Sequence, residues 1–467
     1  MGSVSGVVSK KNEDVFERLM ELLFDLRHRG KDSFGVMVNS QTKISFSLQS
    51  LRKTFIKGSI GIAHSRLEIT GKQPQPLTFG NSSGIIFNGE IYNFFEFSSS
   101  GSDSVFVRDF FEKELKNNSV EFAVKKFMSK ANGEYAVAVF HNKKIFVFRD
   151  LFGIKPVWFG ENDSFIAFSS EPKPLKKMNI NFPLPLPPGS LLVLSEKGVQ
   201  VKKVFSFDLM KKSCSKKASF SELKKSFFES VSLRSRNLEK TGVFFSGGVD
   251  STLIAKAVSS FVPKTELFTA GMQDSHDIVS AEKAAEELGL KLHLRIIEEH
   301  ELKDLSLKAL SVLSFFDEMQ LQLAVPEYAV CGLASKNGMK VMFSGQGSDE
   351  IFGGYSNYTK VLSSNASVSD AIWHSVLNLW SRNFYREDII SMNFSLEHRL
   401  PFLDKNLVCT AMKIPVKQKI FGPKDKLRKR ILRKLALDSG ISKEISFKPK
   451  KALQYGSGVS RHLTKLF

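Results

Sequence analysis

The sequence predicts two domains of different class: a mainly β N-terminal half, then an α/β half built on a parallel sheet. Three observations carry this. Short alternating segments crowd residues 1–200, at 44–48, 84–88, 135–140, 144–149 and 190–194, with Gly, Asn and Ser clusters between them; half-buried strands read this way. From Phe220 onward, helical and strand patterns alternate, as repeated βα units do. Between the halves, residues 206–219 are polar and aperiodic and read as a linker. The domains are therefore set at 1–205 and 220–467.

Taken in order, one clear early helix covers residues 13–27. In the second half, helix 220–237 leads to strand 242–245, and a helix follows Ser251. Strand 267–271, helix 279–288 and strand 292–297 come next. A long helical stretch then ends at strand 340–343, and the chain after Ser364 reads as mostly helical. Within residues 426–437, Leu427, Ile431 and Leu435 recur at i, i+4 and i+8, which predicts an amphipathic helix with a solvated basic face.

The 467 residues suffice for two to three domains. Hydrophobic content of 42% and charged content of 25% are those of a soluble globular protein. The 42 phenylalanines read as core filler. The cysteines, Cys214, Cys331 and Cys409, form no CxxC pair, so neither a disulfide framework nor a zinc site is expected and a cytoplasmic setting fits. No stretch has the ~18 apolar residues of a membrane span, and no signal-peptide pattern opens the chain. The net charge of +19 raises the question of nucleic acid. The excess is partly gathered in residues 423–451 on the expected helix, so nucleic acid is not expected as a main partner. A homodimer is compatible with the sequence.

The most chemical segment is Ser246-Gly247-Gly248-Val249-Asp250-Ser251, between an apolar run and a helix. Backbone N–H groups at a helix start favour an anion, and glycines let the backbone approach it. The spacing fits neither a Walker loop nor a dinucleotide fingerprint. An acid beside phosphates requires a cation between them, so Asp250 points to Mg²⁺. A second strand ends in Ser344-Gly345-Gln346-Gly347-Ser348-Asp349-Glu350. Two such ends in one parallel sheet can converge on one ligand, with Asp250 and Asp349 sharing Mg²⁺ on a triphosphate.

The first loop resembles the pyrophosphate loop of ATP pyrophosphatases. With the second loop, Ser395-Leu396-Glu397-His398-Arg399-Leu400-Pro401-Phe402-Leu403-Asp404 and Lys448-Pro449-Lys450-Lys451, the chain resembles the glutamine-hydrolysing asparagine synthetases along nearly its whole length, in a compact archaeal-type form. The resemblance implies that ATP and Mg²⁺ convert aspartate to β-aspartyl-AMP, and that ammonia then displaces AMP. It places Ser246, Gly247, Gly248 and Ser251 on the pyrophosphate, and Asp250 and Asp349 on the metal. It places Phe245, Ala270, Ser344 and Gly345 near the nucleoside, with Ser275 and Asp277 nearby. Lys450 aligns with the family lysine that stabilises the developing phosphate charge. Gln346 stands where the family usually has Glu; an amide cannot take a proton near pH 7, though it can orient a reactant.

Residues 1–190 resemble the class II glutamine amidotransferase domain, which implies an N-terminal-nucleophile αββα sandwich. The matching pieces include residues 27–32, 61–67, 88–93, 101–103 and 149–156. By resemblance, Arg66 clamps the glutamine carboxylate, Asp103 holds its amine, Asn88 and Gly89 form the oxyanion hole, and Glu90 completes the glutamine site. Such domains need Cys as first mature residue. Position 2 here is Gly2, so the covalent mechanism is impossible there, and free ammonia or a partner glutaminase is the expected nitrogen source. Three other readings stay open: a ligase of this fold on another carboxylate, as in β-lactam-type synthetases; a non-catalytic paralogue; and an adenylating tRNA-modifying enzyme.

Overall fold

The computed structural model describes residues 1–71, 73–99, 101–205, 217–314, 317–364, 367–449 and 451–463. Most of the expected linker lies outside them. The chain divides into two compact units, Met1–Phe207 with Asn383–Asp388, and Asp208–Arg382 with Ile389–Phe467.

The first unit's strands are β1 (Ser5–Ser9), β2 (Ser33–Val38), β3 (Gln41–Ser45), β4 (Ile60–Arg66), β5 (Leu77–Phe79), β6 (Ser83–Ile91), β7 (Gly133–His141), β8 (Lys144–Arg149), β9 (Trp158–Glu161), β10 (Phe165–Ser169), β11 (Leu184–Pro185), β12 (Ser190–Ser195) and β13 (Gly198–Lys203). They form two antiparallel sheets, ordered β11-β9-β10-β1-β4-β2-β3 and β13-β12-β8-β7-β6-β5. Val8 and Ile62 of one sheet share a core with Ile86, Ala138, Val147 and Leu192 of the other. Alternation then sends the next residue outward. Phe148 meets Phe111 and Phe127 of the helices Asp103–Glu114 and Val120–Lys130. On the opposite side, helix Phe16–Leu26 buries Phe16, Leu19, Met20, Leu22, Leu23 and Leu26, the three- and four-residue spacing of one helical face. The result is the expected αββα layering. Phenylalanine is not only core filler: Phe46 and Phe182 are largely exposed.

The second unit's strands are β14 (Lys240–Phe244), β15 (Lys264–Met272), β16 (Leu292–Ile297), β17 (Val341–Phe343) and β18 (Glu397–Arg399). All pair in parallel, in the order β16-β15-β14-β17-β18. The strand order reverses at β14, so a crevice is expected between the ends of β14 and β17. Strand β18 was not anticipated, because three residues carry no readable alternation. The basic helix also differs: it spans Arg430–Asp438, starting later than the apolar spacing suggests. Cys331 is a buried thiol outside any disulfide and Cys409 is disulfide-bonded, which corrects the expectation that no disulfide framework is present.

Candidate functional site

The first loop leaves β14 and enters helix Val249–Ser259 through Gly248. Gly247 has φ +66°, and a Cβ there would lie 2.2 Å from the Ser280 carbonyl oxygen; only glycine takes this turn without strain. Ser246 N–H donates to Ser251 Oγ (3.3 Å), and that hydroxyl donates to the Gly248 carbonyl (3.2 Å). The second loop leaves β17 and touches the first: a Cβ on Gly345 would sit 2.8 Å from Asp250 Cβ. Phe245, Ala270 and Ser344, all buried, lie at or near the carboxyl ends of β14, β15 and β17.

Asp250 and Asp349 converge, and the cation between them is Lys429. Its Nζ lies 2.5 Å from Asp250 Oδ2, 2.6 Å from Asp349 Oδ1 and 3.1 Å from Ser348 Oγ. Burial lowers the Lys429 pKa, with Asp250 and Glu350 opposing the shift. Beside them Glu350 is buried, its carboxyl raised by desolvation, and it accepts a 2.6 Å bond from Tyr355 OH.

Lys429 was not anticipated; its segment read as a solvated basic face. Arg428 and Lys429 instead adopt φ +54° and +47°, a left-handed backbone that costs roughly 1–2 kcal/mol per non-glycine residue. Buried Arg433 holds that bend. Its guanidinium donates to the carbonyls of Leu427 and Arg428 and, from the same side chain, to those of Ser446 and Lys448. The basic tail is thereby tied to the Lys429 turn, and Lys448 Nζ bonds Ser280 Oγ beside the first loop. Lys450 lies outside the described residues. Gln346 is half-buried in the second loop.

Ser275 stands at the N-cap position of helix His276–Leu288 without a side-chain capping bond, and Asp277 lies buried in the first turn. Burial pushes the Asp277 carboxyl up to about 6, with His276, Lys451 and Lys448 opposing. The ordinary aspartate value is 3.8, and with that value in the unfolded chain the folded state binds more protons between roughly pH 4 and 6. This group's contribution is therefore greatest below pH 4, falls as pH rises to 6, and is flat above. We expect the stability of Asp277→Asn relative to wild type to increase by about 1–3 kcal/mol between pH 4 and pH 7. Urea midpoints at the two pH values measure it; a pH-independent difference refutes the assignment.

In the first unit the expected glutamine residues also gather. Arg66 feels the charges of Asp103 and Glu90, while burial lowers its pKa. Their hydrogen bonds are internal. Arg66 donates to the carbonyls of Gly71 and Gln73. Glu90 accepts from Thr70 Oγ1 (2.7 Å) and Asp103 from the Ile91 and Ser104 N–H groups (3.1 and 2.7 Å). Asn88 Oδ1 accepts the Gly2 N–H at 2.9 Å, and its buried Nδ2 has no hydrogen-bond partner, an orphan donor beside Gly89. Gly2 has φ +147°, and a Cβ there would lie 1.8 Å from the Ser65 carbonyl oxygen. This backbone has no space for any nucleophilic side chain at position 2.

Comparison with known proteins agrees with these two assemblies. Residues 222–383 and 361–466 match the asparagine synthase family, and residues 1–184 match the glutamine amidotransferase domain family. A Methanocaldococcus jannaschii protein assigned as a glutamine-hydrolyzing asparagine synthetase is 30% identical over 533 aligned residues, covering 100% of this chain and 95% of that protein. Glutamine-hydrolyzing asparagine synthetases of Brassica oleracea and Escherichia coli are 26% and 24% identical; 95% and 98% of this chain are covered, and 75% and 83% of theirs. With both family matches in order along one chain and a full-length relative at 30% identity, this chain belongs to the asparagine synthase family and carries a glutamine amidotransferase domain at its N-terminal side.

Proposed function

We propose that the second unit adenylates the side-chain carboxylate of aspartate with ATP and then forms asparagine, releasing pyrophosphate and AMP. The observation that carries this is the convergence of Asp250 and Asp349 on one ammonium at the β14 and β17 strand ends. Family membership supports the same chemistry and does not favour another acceptor, a non-catalytic role or tRNA modification. The loop 246–251 holds the pyrophosphate portion through backbone N–H groups. Phe245, Ala270, Ser344 and Gly345 line the nucleoside side. Lys448, which bonds Ser280 beside the first loop, brings positive charge to the phosphates from the tail, and the resemblance gives Lys450 the same task.

Mg²⁺ fits the donor set. Two carboxylates close enough to share an ammonium, with substrate phosphates to complete the shell, suit a hard cation that takes one or two protein carboxylates. Mg²⁺ would offset phosphate charge there, and Lys429 is placed to release the two acids and meet the triphosphate.

The nitrogen comes from ammonia and not from glutamine hydrolysis by the first unit, because Gly2 provides no thiol. No helix of the described residues is long and apolar enough to cross a membrane; ATP and aspartate as substrates support a cytoplasmic setting. The experiment supplies ATP, Mg²⁺ and aspartate with either ammonium or glutamine as sole nitrogen donor. Asparagine should form with ammonium at a rate at least about 10²-fold above that with glutamine. Equal rates refute the ammonia reading. No aspartate-dependent ATP–pyrophosphate exchange refutes the adenylation reading. Gly2→Cys should remain inactive with glutamine, since its Cβ collides with Ser65.

A further inference from the structure

The amide-forming step releases a proton, and the loop facing it carries Gln346, which cannot take one. A group that can lies one hydrogen bond away. Strand β18 pairs His398 with Met342 of β17, so His398 shares a sheet face with Ser344, two residues further on. His398 Nε2 lies 2.7 Å from Ser344 Oγ in a buried contact. The Gln346 N–H donates to the same oxygen at 3.3 Å. With His398 in the tautomer protonated at Nδ1, the Ser344 hydroxyl donates to Nε2 while accepting the Gln346 N–H. The Phe244 ring stands at 88° to the imidazole, 5.3 Å between centroids, which limits its rotation.

We propose that His398, acting through the Ser344 hydroxyl, holds the proton released when ammonia attacks the activated carboxyl. This rests on the adenylation reading above. In the step, the nitrogen lone pair forms a bond to the acyl carbon and the carbonyl π pair moves to its oxygen. One N–H proton passes to Ser344 Oγ as the hydroxyl proton passes to His398 Nε2. The oxygen pair then re-forms the carbonyl, and the bond to the AMP phosphate oxygen breaks. The products are the amide, AMP and a protonated imidazole, which returns its proton to solvent. His398 is a positioning residue here: it orients Ser344 and stores the proton without meeting substrate. Strand β18 exists in this sheet, on this reading, partly to bring that imidazole to the β17 end.

The test uses the full chain as wild type, His398→Gln, Gln346→Glu and the double variant His398→Gln/Gln346→Glu. Glutamine at 398 can still donate at the Nε2 position but accepts no proton. Aspartate-dependent pyrophosphate exchange reports activation, and asparagine formation with ammonium reports the second step. For His398→Gln we expect exchange within about threefold of wild type, and kcat for asparagine lowered about 10²-fold with little change in KM for ammonium. In the double variant the new carboxylate should recover at least about tenfold of that loss. Equal loss in both assays, full retention of asparagine formation, or no recovery in the double variant would overturn the proposal. Absence of exchange in wild type would instead overturn the adenylation reading, and this proposal with it.

Discussion

Lys429→Met is expected to abolish aspartate-dependent pyrophosphate exchange, with a fall of about 10²–10³-fold or more, the usual effect of removing one preorganised charge from such a site. The side chain is 2% exposed while its two carboxylates are 22% and 17% exposed. Methionine conserves volume but leaves Asp250 and Asp349 facing each other with no cation. The variant should also lose about 2–4 kcal/mol of stability, somewhat under the range for a fully buried broken pair, because solvent reaches the acids. Added Mg²⁺ should restore part of that stability, since it can neutralise the same oxygens, while exchange stays low. Lys429→Arg should fare little better: a planar fork cannot place one nitrogen between two carboxylates and Ser348. Exchange rates and urea midpoints with and without Mg²⁺ measure all of this. Near-wild-type exchange in Lys429→Met would remove Lys429 from the site.

Arg29→Met is expected to have the largest effect on stability in the first unit, about 3–5 kcal/mol. Arg29 is fully buried; Nη1 pairs with Glu171 (3.0 Å), Nη2 with Asp388 (2.7 Å), and Nε donates to the Gly2 carbonyl (3.0 Å). Its loss strands two buried carboxylates at once. His28 at 2.8 Å from Glu171 and Lys155 at 3.8 Å from Asp388 can shield them only in part. The urea midpoint of the first unit's transition measures this, and a change under about 1 kcal/mol refutes it. Exchange at the second unit's loops, measured well below the midpoint, should persist.

Much of this was legible from residues alone, for physical reasons that also explain the rest. The strand at 144–149 was placed correctly because its alternation matches a sheet with one face in the sandwich and one under helices. The phosphate loop was legible because glycines beside an acid at a strand end serve few other purposes. Lys429 was not, because apolar periodicity assumes continuous helix, and here two basic residues turn left-handed to bring a lysine inward toward acids some 80 and 180 residues earlier. The obstruction at Gly2 was equally hidden. The sequence shows that the thiol is missing; only the packing against Ser65 shows that restoring it meets a carbonyl oxygen.

The short return of Asn383–Asp388 to the first unit gives this protein a timetable. Asp388 follows Arg29 by 359 residues. At ribosomal rates of about 5–20 residues per second, that is roughly 20–70 s in which Arg29 waits with only one of its two acids. The N-terminal sheets can collapse early, but their central charge cluster stays open until most of the ligase half has left the ribosome. Completion of the first unit therefore reports that residues 208–382 of the second have been made, and a chain cut short before residue 388 keeps Arg29 paired with Glu171 alone.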